Sequence, residues 1–266
     1  MALTVSELWI YPIKSLGGIA ISQAAVLPKG IAFDRRWMLV DADNKFMTQR
    51  VQHRMALFSL SHAPGGFTIK YHKEQIFLPA VSQSNPFAAV IWNDTVEVME
   101  VSDEHNQWFS RILGITCKLV RFPENNSRPV EAGYVINNEQ VSLADAYPLL
   151  IVGQNSLDDL NSRMKIPLPM NRFRPNIVFT GGEPYEEDKW HHFSIGEARF
   201  AGVKPCARCA ITTIDQQTAQ AGKEPLATLA TYRQKNNKVL FGQNLLVTEA
   251  GEIKIGDRII LEKEIT

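Results

Sequence analysis

The chain has 266 residues, 45% of them hydrophobic, with 28 basic side chains against 28 acidic ones. A core of that size does not need a disulfide scaffold, and three cysteines are too few to build one. At zero net charge there is no broad basic field, so neither a nucleic-acid polymer nor a membrane surface is an expected partner.

The first hundred residues read mostly as strands. Val5 to Tyr11 is apolar and β-prone, and Pro12 ends it. Trp37–Val40 is a short buried-type strand, Asp41–Asn44 a turn, and Lys45–Gln49 the expected return strand. Phe67–Tyr71 alternates apolar and polar as a half-exposed strand does, after a Pro64-Gly65-Gly66 turn. Val90–Trp92 and Val96–Val98 flank Asn93-Asp94, a hairpin pattern. The polar segment from Pro123 to Asn138 reads as a linker or a long functional loop.

Helices are few. Asp103–Leu113 places Trp108, Phe109, Ile112 and Leu113 on one face. Ser142 is expected to cap a short helix, with Asp145 three residues on. Asn155 or Ser156 is expected to cap another through Arg163, and Pro225 to open a third carrying Leu226, Leu229 and Tyr232. The C-terminus returns to strands: Leu245–Val247, then Ile253–Ile255 and Ile259–Leu261 around a Gly256-Asp257 turn. Many short strands with Gly and Pro turns predict barrels. No stretch approaches the ~20 apolar residues of a membrane helix. The first residues lack a basic region followed by an apolar run, so the expected compartment is a reducing cytoplasm.

Two of the three cysteines stand in Lys204-Pro205-Cys206-Ala207-Arg208-Cys209, followed by Ala210-Ile211-Thr212-Thr213-Ile214-Asp215. The β-branched residues predict a strand after the pair. That weakens a thioredoxin-like pair, which opens a helix. A zinc site needs four ligands, and no second pair or suitable His spacing supplies them; His191 and His192 suit a surface turn. Two half-buried small hydrophobes, or one thiolate ligand to a soft transition metal, remain open. Arg208 is placed to favour the thiolate form of the pair. Trp92, Trp108 and Trp190 read as core or interface packing.

Three compact clusters set Lys or Arg beside Ser, Asp or Asn at strand boundaries: Tyr11-Pro12-Ile13-Lys14-Ser15, Phe33-Asp34-Arg35-Arg36-Trp37 and Asn171-Arg172-Phe173-Arg174-Pro175-Asn176. Such groups suit a phosphate and the edge of a heterocycle. With a thiolate, they suggest a phosphorylated cofactor that carries a metal.

These clusters, the cysteine pair with Thr212-Thr213-Ile214-Asp215, and Phe241-Gly242-Gln243-Asn244 occur in an order that resembles the MOSC-domain proteins. The nearest subgroup is similar to the bacterial YcbX-type proteins and the mitochondrial amidoxime-reducing component, and the resemblance covers nearly the whole chain. It implies a mainly β (α+β) fold with two β-rich lobes and a few peripheral helices. These are an N-terminal β-barrel domain over 1–122 and a MOSC β-barrel domain over 123–266. It also implies the molybdenum-pterin cofactor (molybdenum–molybdopterin), with Cys209 as catalytic metal ligand and Lys14, Ser15, Arg35, Arg174 and Asn176 as cofactor contacts. Cys206 is not the ligand in that pattern.

The implied activity is reduction of small N-hydroxylated compounds to amines. YcbX-type proteins carry a C-terminal ferredoxin domain, whereas this chain ends at Thr266 with no cysteine after Cys209. Electrons are therefore expected from a separate protein of flavin-reductase or ferredoxin type. Gly153 stands where the amidoxime-reducing component has a serine near the cofactor. Asp215 and Tyr11 are the candidate proton donors. The other expected classes are a cofactor-binding or sulfur-carrying module without its own turnover, and a thiol–disulfide enzyme.

Overall fold

The computed structural model describes residues 2–81 and 85–262. Within them the chain is mainly β. The largest sheet has nine strands. Its path runs Ile259–Leu261, His192–Ile195, Ala198–Ala207, Lys238–Glu249, Leu149–Gly153, Ile177–Thr180, Thr4–Ile10 and Ile19–Ile21, with Gln234–Lys235 on the side of Lys238–Glu249. A four-stranded sheet holds Trp37–Asp41, Cys117–Arg121, Asp94–Glu100 and Pro86–Ile91.

Strands from both ends of the chain share sheets. Thr4–Ile10 pairs antiparallel with Ile177–Thr180, with Leu8 opposite Ile177. Gly251–Lys254 pairs with Gln23–Leu27. One apolar cluster accordingly contains Val5, Leu8 and Trp37 together with Phe200 and Leu245. Burial of these side chains ties the first strand to the last third of the chain, at about 25 cal/mol per Å² of apolar surface removed from water.

Several expected elements form as written. Helix Asp103–Leu113 is capped by Ser102, whose hydroxyl accepts from His105 N at 3.4 Å, and it buries Phe109, Ile112 and Leu113. Asp103 and Glu104 lie in its first turn, where the helix dipole favours them. The hairpins about Pro64-Gly65 and Asn93 are present. Helix Gln154–Ser162 carries Leu157 and Leu160 inward, and Leu226–Ala230 follows Pro225 and buries Leu229, but it ends before Tyr232.

Others differ, for tertiary reasons. Lys45–Gln49 is not a strand; it touches its neighbours through isolated bridges, Phe46 to Val40 and Lys45 to Val90. Ser142–Ala146 is not a helix. The Ser142 hydroxyl donates to Asp34 O (3.2 Å) and Leu143 N to Arg35 O (3.1 Å), so the groups that would cap a helix are committed across the fold. Ser156 does not cap its helix either; its hydroxyl donates to the buried Glu187 and accepts from Tyr185 N, and Gly153 holds the cap position. After the cysteines, Ala210–Thr213 forms a 3-10 turn in place of the expected strand. The Thr212 and Thr213 hydroxyls donate back to Cys209 O (3.0 Å) and Ala210 O (2.8 Å), local bonds that compete with extension.

Candidate functional site

The three basic clusters meet at the ends of neighbouring strands. Tyr11 N donates to Asp34 Oδ1 (2.7 Å) and Arg35 N to Tyr11 O (2.9 Å), which locks the first cluster to the second. Trp9 N donates to Asn176 O (2.9 Å), which brings in the third. Lys14 N donates to Trp37 O at 2.7 Å. These turns are strained. Ser15, Arg35 and Arg174 have φ of 66°, 50° and 55°, in the left-handed region that costs a non-glycine residue on the order of 1–3 kcal/mol.

Lys14, Ser15, Arg35, Arg174, Asn176 and Cys209 all line one cavity of about 300 Å³, at the lower end of the size range for small-molecule sites. Its cations are Lys14, Arg35, Arg50, Arg174, Lys204 and Arg208, against a single acid among the lining residues, Asp145. Arg35 and Arg174 both pack on the Tyr11 ring, 4.3 and 4.2 Å from its centre. Burial, and then the charge of Arg35, push the Arg174 guanidinium down to about 10. Burial also lowers Lys14, with Asp145 opposing the fall. An anion would relieve this crowding of positive charge.

Asn176 is spent on the fold. Its amide donates to Trp9 O (3.2 Å) and its carbonyl accepts from Arg35 Nη1 (3.1 Å) and Leu150 N (3.3 Å). Arg35 is held further by both oxygens of buried Asp34, at 2.8 and 2.7 Å. The Arg174 side chain makes one hydrogen bond among the described residues, from Nη1 to Leu16 O at 2.7 Å, which leaves donors for a ligand.

Cys206 lies at the end of strand Ala198–Ala207 and Cys209 just beyond it. Each sulfur has its own guanidinium. Arg208 Nη1 donates to Cys206 Sγ (3.1 Å) and Arg50 Nη2 to Cys209 Sγ (3.2 Å). The sequence neighbour Arg208 therefore serves Cys206, and Cys209 is served from 159 residues away. Arg50 Nη2 also donates to Asp145 Oδ2 (2.9 Å), and Lys14 is ion-paired with the other oxygen, Oδ1. Burial opposes ionisation of Asp145, but the charges of Lys14 and Arg50 outweigh it and hold its carboxyl well below the usual range. Asp145 is 49% exposed, and it lines the cavity.

Arg50 and Asp145 carry no sequence motif. Asp145 resembled a helix cap, and nothing local distinguishes Arg50. Neither proposed proton donor lines the cavity. Asp215 caps a turn, accepting from Gln217 N and Thr218 N, and pairs with Arg172 at 3.3 Å. Tyr11 is buried beneath the two arginines, its hydroxyl without a hydrogen-bond partner among the described residues and pushed up to about 12 by burial. Gly153 is absent from the lining as well; its N–H donates to Glu187 Oε1, and a side chain there would meet Phe179 Cζ at 2.9 Å. Trp190 and Trp108 pack as expected, but Trp92 is 44% exposed and lies against two lining residues, its indole N–H on Asp145 Oδ1 at 3.3 Å and its ring under Arg50. No group of three or more His, Cys, Asp or Glu suited to a metal occurs among the described residues.

The cavity is cationic, carries the thiols of both Cys206 and Cys209, and draws its lining from Lys14 near one end of the chain to Asn244 near the other. Residues 2–116 match the model of the MOSC N-terminal β-barrel domain and residues 138–260 that of the MOSC domain. Mitochondrial amidoxime-reducing component 1 of Mus musculus is 32% identical over 97% of this chain and 82% of its own length. The human protein of the same name has the same identity and coverage. Molybdenum cofactor sulfurase of Oryza sativa subsp. japonica is 30% identical over 88% of this chain and 31% of its own. The solved YUAD protein of Bacillus subtilis superposes with a TM-score of 0.46 at 12% identity, covering 97% of this chain and 94% of that one. The chain belongs to the MOSC-domain family, in the group that includes the mitochondrial amidoxime-reducing components. No helix among the described residues is long and apolar enough to cross a membrane.

Proposed function

We propose that this chain is a molybdenum-cofactor-dependent reductase of small N-hydroxylated compounds such as amidoximes and hydroxylamines. The observation that carries this reading is Cys209 Sγ opening onto a cavity with six cationic side chains and one acid. That donor set fits a phosphorylated ligand with a soft metal: thiolate for the metal, guanidinium forks for the phosphate. Cys209 would hold the metal. Arg174 and Lys14 would bind the anionic end, with Ser15 beside them. Arg35 and Asn176 keep the Arg174 turn in place through bonds to Arg174 O and across the strands. When bound, the molybdenum pterin supplies the two-electron chemistry that takes an N–OH group, two electrons and two protons to an N–H group and water. Asp145 pins Lys14 and Arg50 at the rim, and its carboxylate is the acceptor nearest Cys209's partner. A separate flavin- or ferredoxin-type protein would supply the electrons. Cys117, Cys206 and Cys209 are all free, which suits a reducing cytoplasm.

A second reading has support of its own. Similarity to a protein named molybdenum cofactor sulfurase favours a cofactor-binding or sulfur-carrying module. The thiol–disulfide reading loses ground, because a single 3-10 turn and not an α-helix follows the pair, and each sulfur has a separate cation.

The test is elemental analysis of protein from a cofactor-competent host, with an amidoxime reductase assay alongside. Near-stoichiometric molybdenum and reduction, both lost in Cys209→Ser and largely kept in Cys206→Ser, are expected. Molybdenum without turnover favours the carrier reading. Metal-free activity that needs both cysteines restores the thiol reading.

A further inference from the structure

Arg50 lies in none of the motifs, yet its guanidinium is the group in contact with Cys209 Sγ. It is fixed on every side that the structure shows. Nη2 donates to Asp145 Oδ2 at 2.9 Å as well as to the sulfur at 3.2 Å, and Nη1 donates to Thr48 Oγ1 at 3.3 Å. The flat face lies 4.8 Å from the centre of the Trp92 ring. Trp92 is itself held, by its N–H on Asp145 Oδ1 (3.3 Å) and by Phe46 against its ring (4.8 Å). Its backbone sits at φ 55°, a strained turn that keeps a large, 44% exposed side chain against the Arg50 guanidinium. A planar fork stacked on an indole and bonded to a carboxylate has little freedom left to lose, so its N–H to sulfur is preorganised.

We propose that Arg50 is a positioning residue that sets the reduction potential of the metal held by Cys209, with Trp92 and Asp145 holding it in place. The proposal rests on the molybdenum reading above. An N–H to sulfur bond from a fixed cation draws electron density off the thiolate, and hydrogen bonds to ligand sulfurs are among the determinants of the potential of thiolate-held centres. A positive charge at that distance favours the state with more electrons, so the intact Arg50 raises the potential and makes the centre easier for a donor protein to reduce. Arg208 makes its sulfur contact with Cys206 instead.

The experiment is an EPR-monitored redox titration of molybdenum in the purified holoprotein, comparing the wild type with Arg50→Gln and Arg50→Lys. Arg111→Gln, an exposed arginine paired with Glu74, is the control. The expected result is a more negative potential in Arg50→Gln, a change of about tenfold in the one-electron equilibrium constant, or about 59 mV. Arg50→Lys falls between it and the wild type, and Arg111→Gln matches the wild type. A role in folding alone would lower metal content but leave the potential of the loaded fraction unmoved, so an unchanged potential in Arg50→Gln overturns the proposal. If Arg50→Gln retains no metal, Trp92→Leu decides: a smaller shift of the same sign supports it, and none overturns it. A wild type that carries no molybdenum refutes the cofactor reading itself, a different failure.

Discussion

Arg174 should matter little to the stability of the empty protein and a great deal to the loaded one. In the ligand-free fold it is a buried cation beside a second cation, pushed down to about 10. At about 1.4 kcal/mol per pH unit, holding that charge costs on the order of 3 kcal/mol. Its one internal bond, to Leu16 O at 2.7 Å, contributes about 1–3 kcal/mol. The two nearly cancel, so Arg174→Gln should change the unfolding free energy of the metal-free protein by less than about 1.5 kcal/mol in either direction. In the loaded protein the same change removes a guanidinium from a buried anion and should cost about 2–5 kcal/mol of binding. Urea denaturation of the apoprotein reads the first quantity, and molybdenum content after dialysis reads the second. A loss of more than about 3 kcal/mol from the apoprotein, with metal content intact, would show that Arg174 is a structural residue and refute the reasoning.

Three further predictions follow from groups around the site. Asp34 is 1% exposed and accepts from Tyr11 N and twice from Arg35, so Asp34→Asn should destabilise the fold by about 3–5 kcal/mol and lower metal content with it; wild-type stability in thermal unfolding would refute this. Glu187 is fully buried, and burial pushes its carboxyl up to about 7 despite bonds from Gly153 N and Ser156 Oγ. Its folded pKa lies above its unfolded one, so its contribution is complete below about pH 4.5 and lost as pH rises through 7. Relative to Glu187→Gln, the wild type should therefore lose on the order of 3 kcal/mol between pH 5 and 8, and parallel stability curves for the two would contradict it. Gly242 has φ of 77° and an added Cβ would meet Val152 Cγ2 at 2.7 Å and Ile151 O at 2.9 Å, so Gly242→Ala should cost at least about 1–3 kcal/mol in denaturant unfolding.

What the sequence by itself determined is whatever short-range physics decides. Helix Asp103–Leu113 follows from its apolar spacing, its Ser102 cap and Gly114 in the left-handed position, all within a dozen residues. The hairpins follow from their turn residues. Six residues that line the cavity, Lys14, Ser15, Arg35, Arg174, Asn176 and Cys209, were named through the family resemblance of the compact motifs that carry them. The tertiary structure alone decided the rest. Ser142 and Ser156 carry capping chemistry, but Asp34 and Glu187 claim their hydroxyls, because a buried polar partner outweighs a local cap. Arg208 adjoins the cysteine pair in sequence, yet the cation on Cys209 is Arg50, delivered by packing of the first half of the chain against the second. Asp145 and Trp92 join them only at that junction. Contacts across so many residues leave no local pattern, since they arise from the summed burial of a shared core and not from the conformational preference of any one segment.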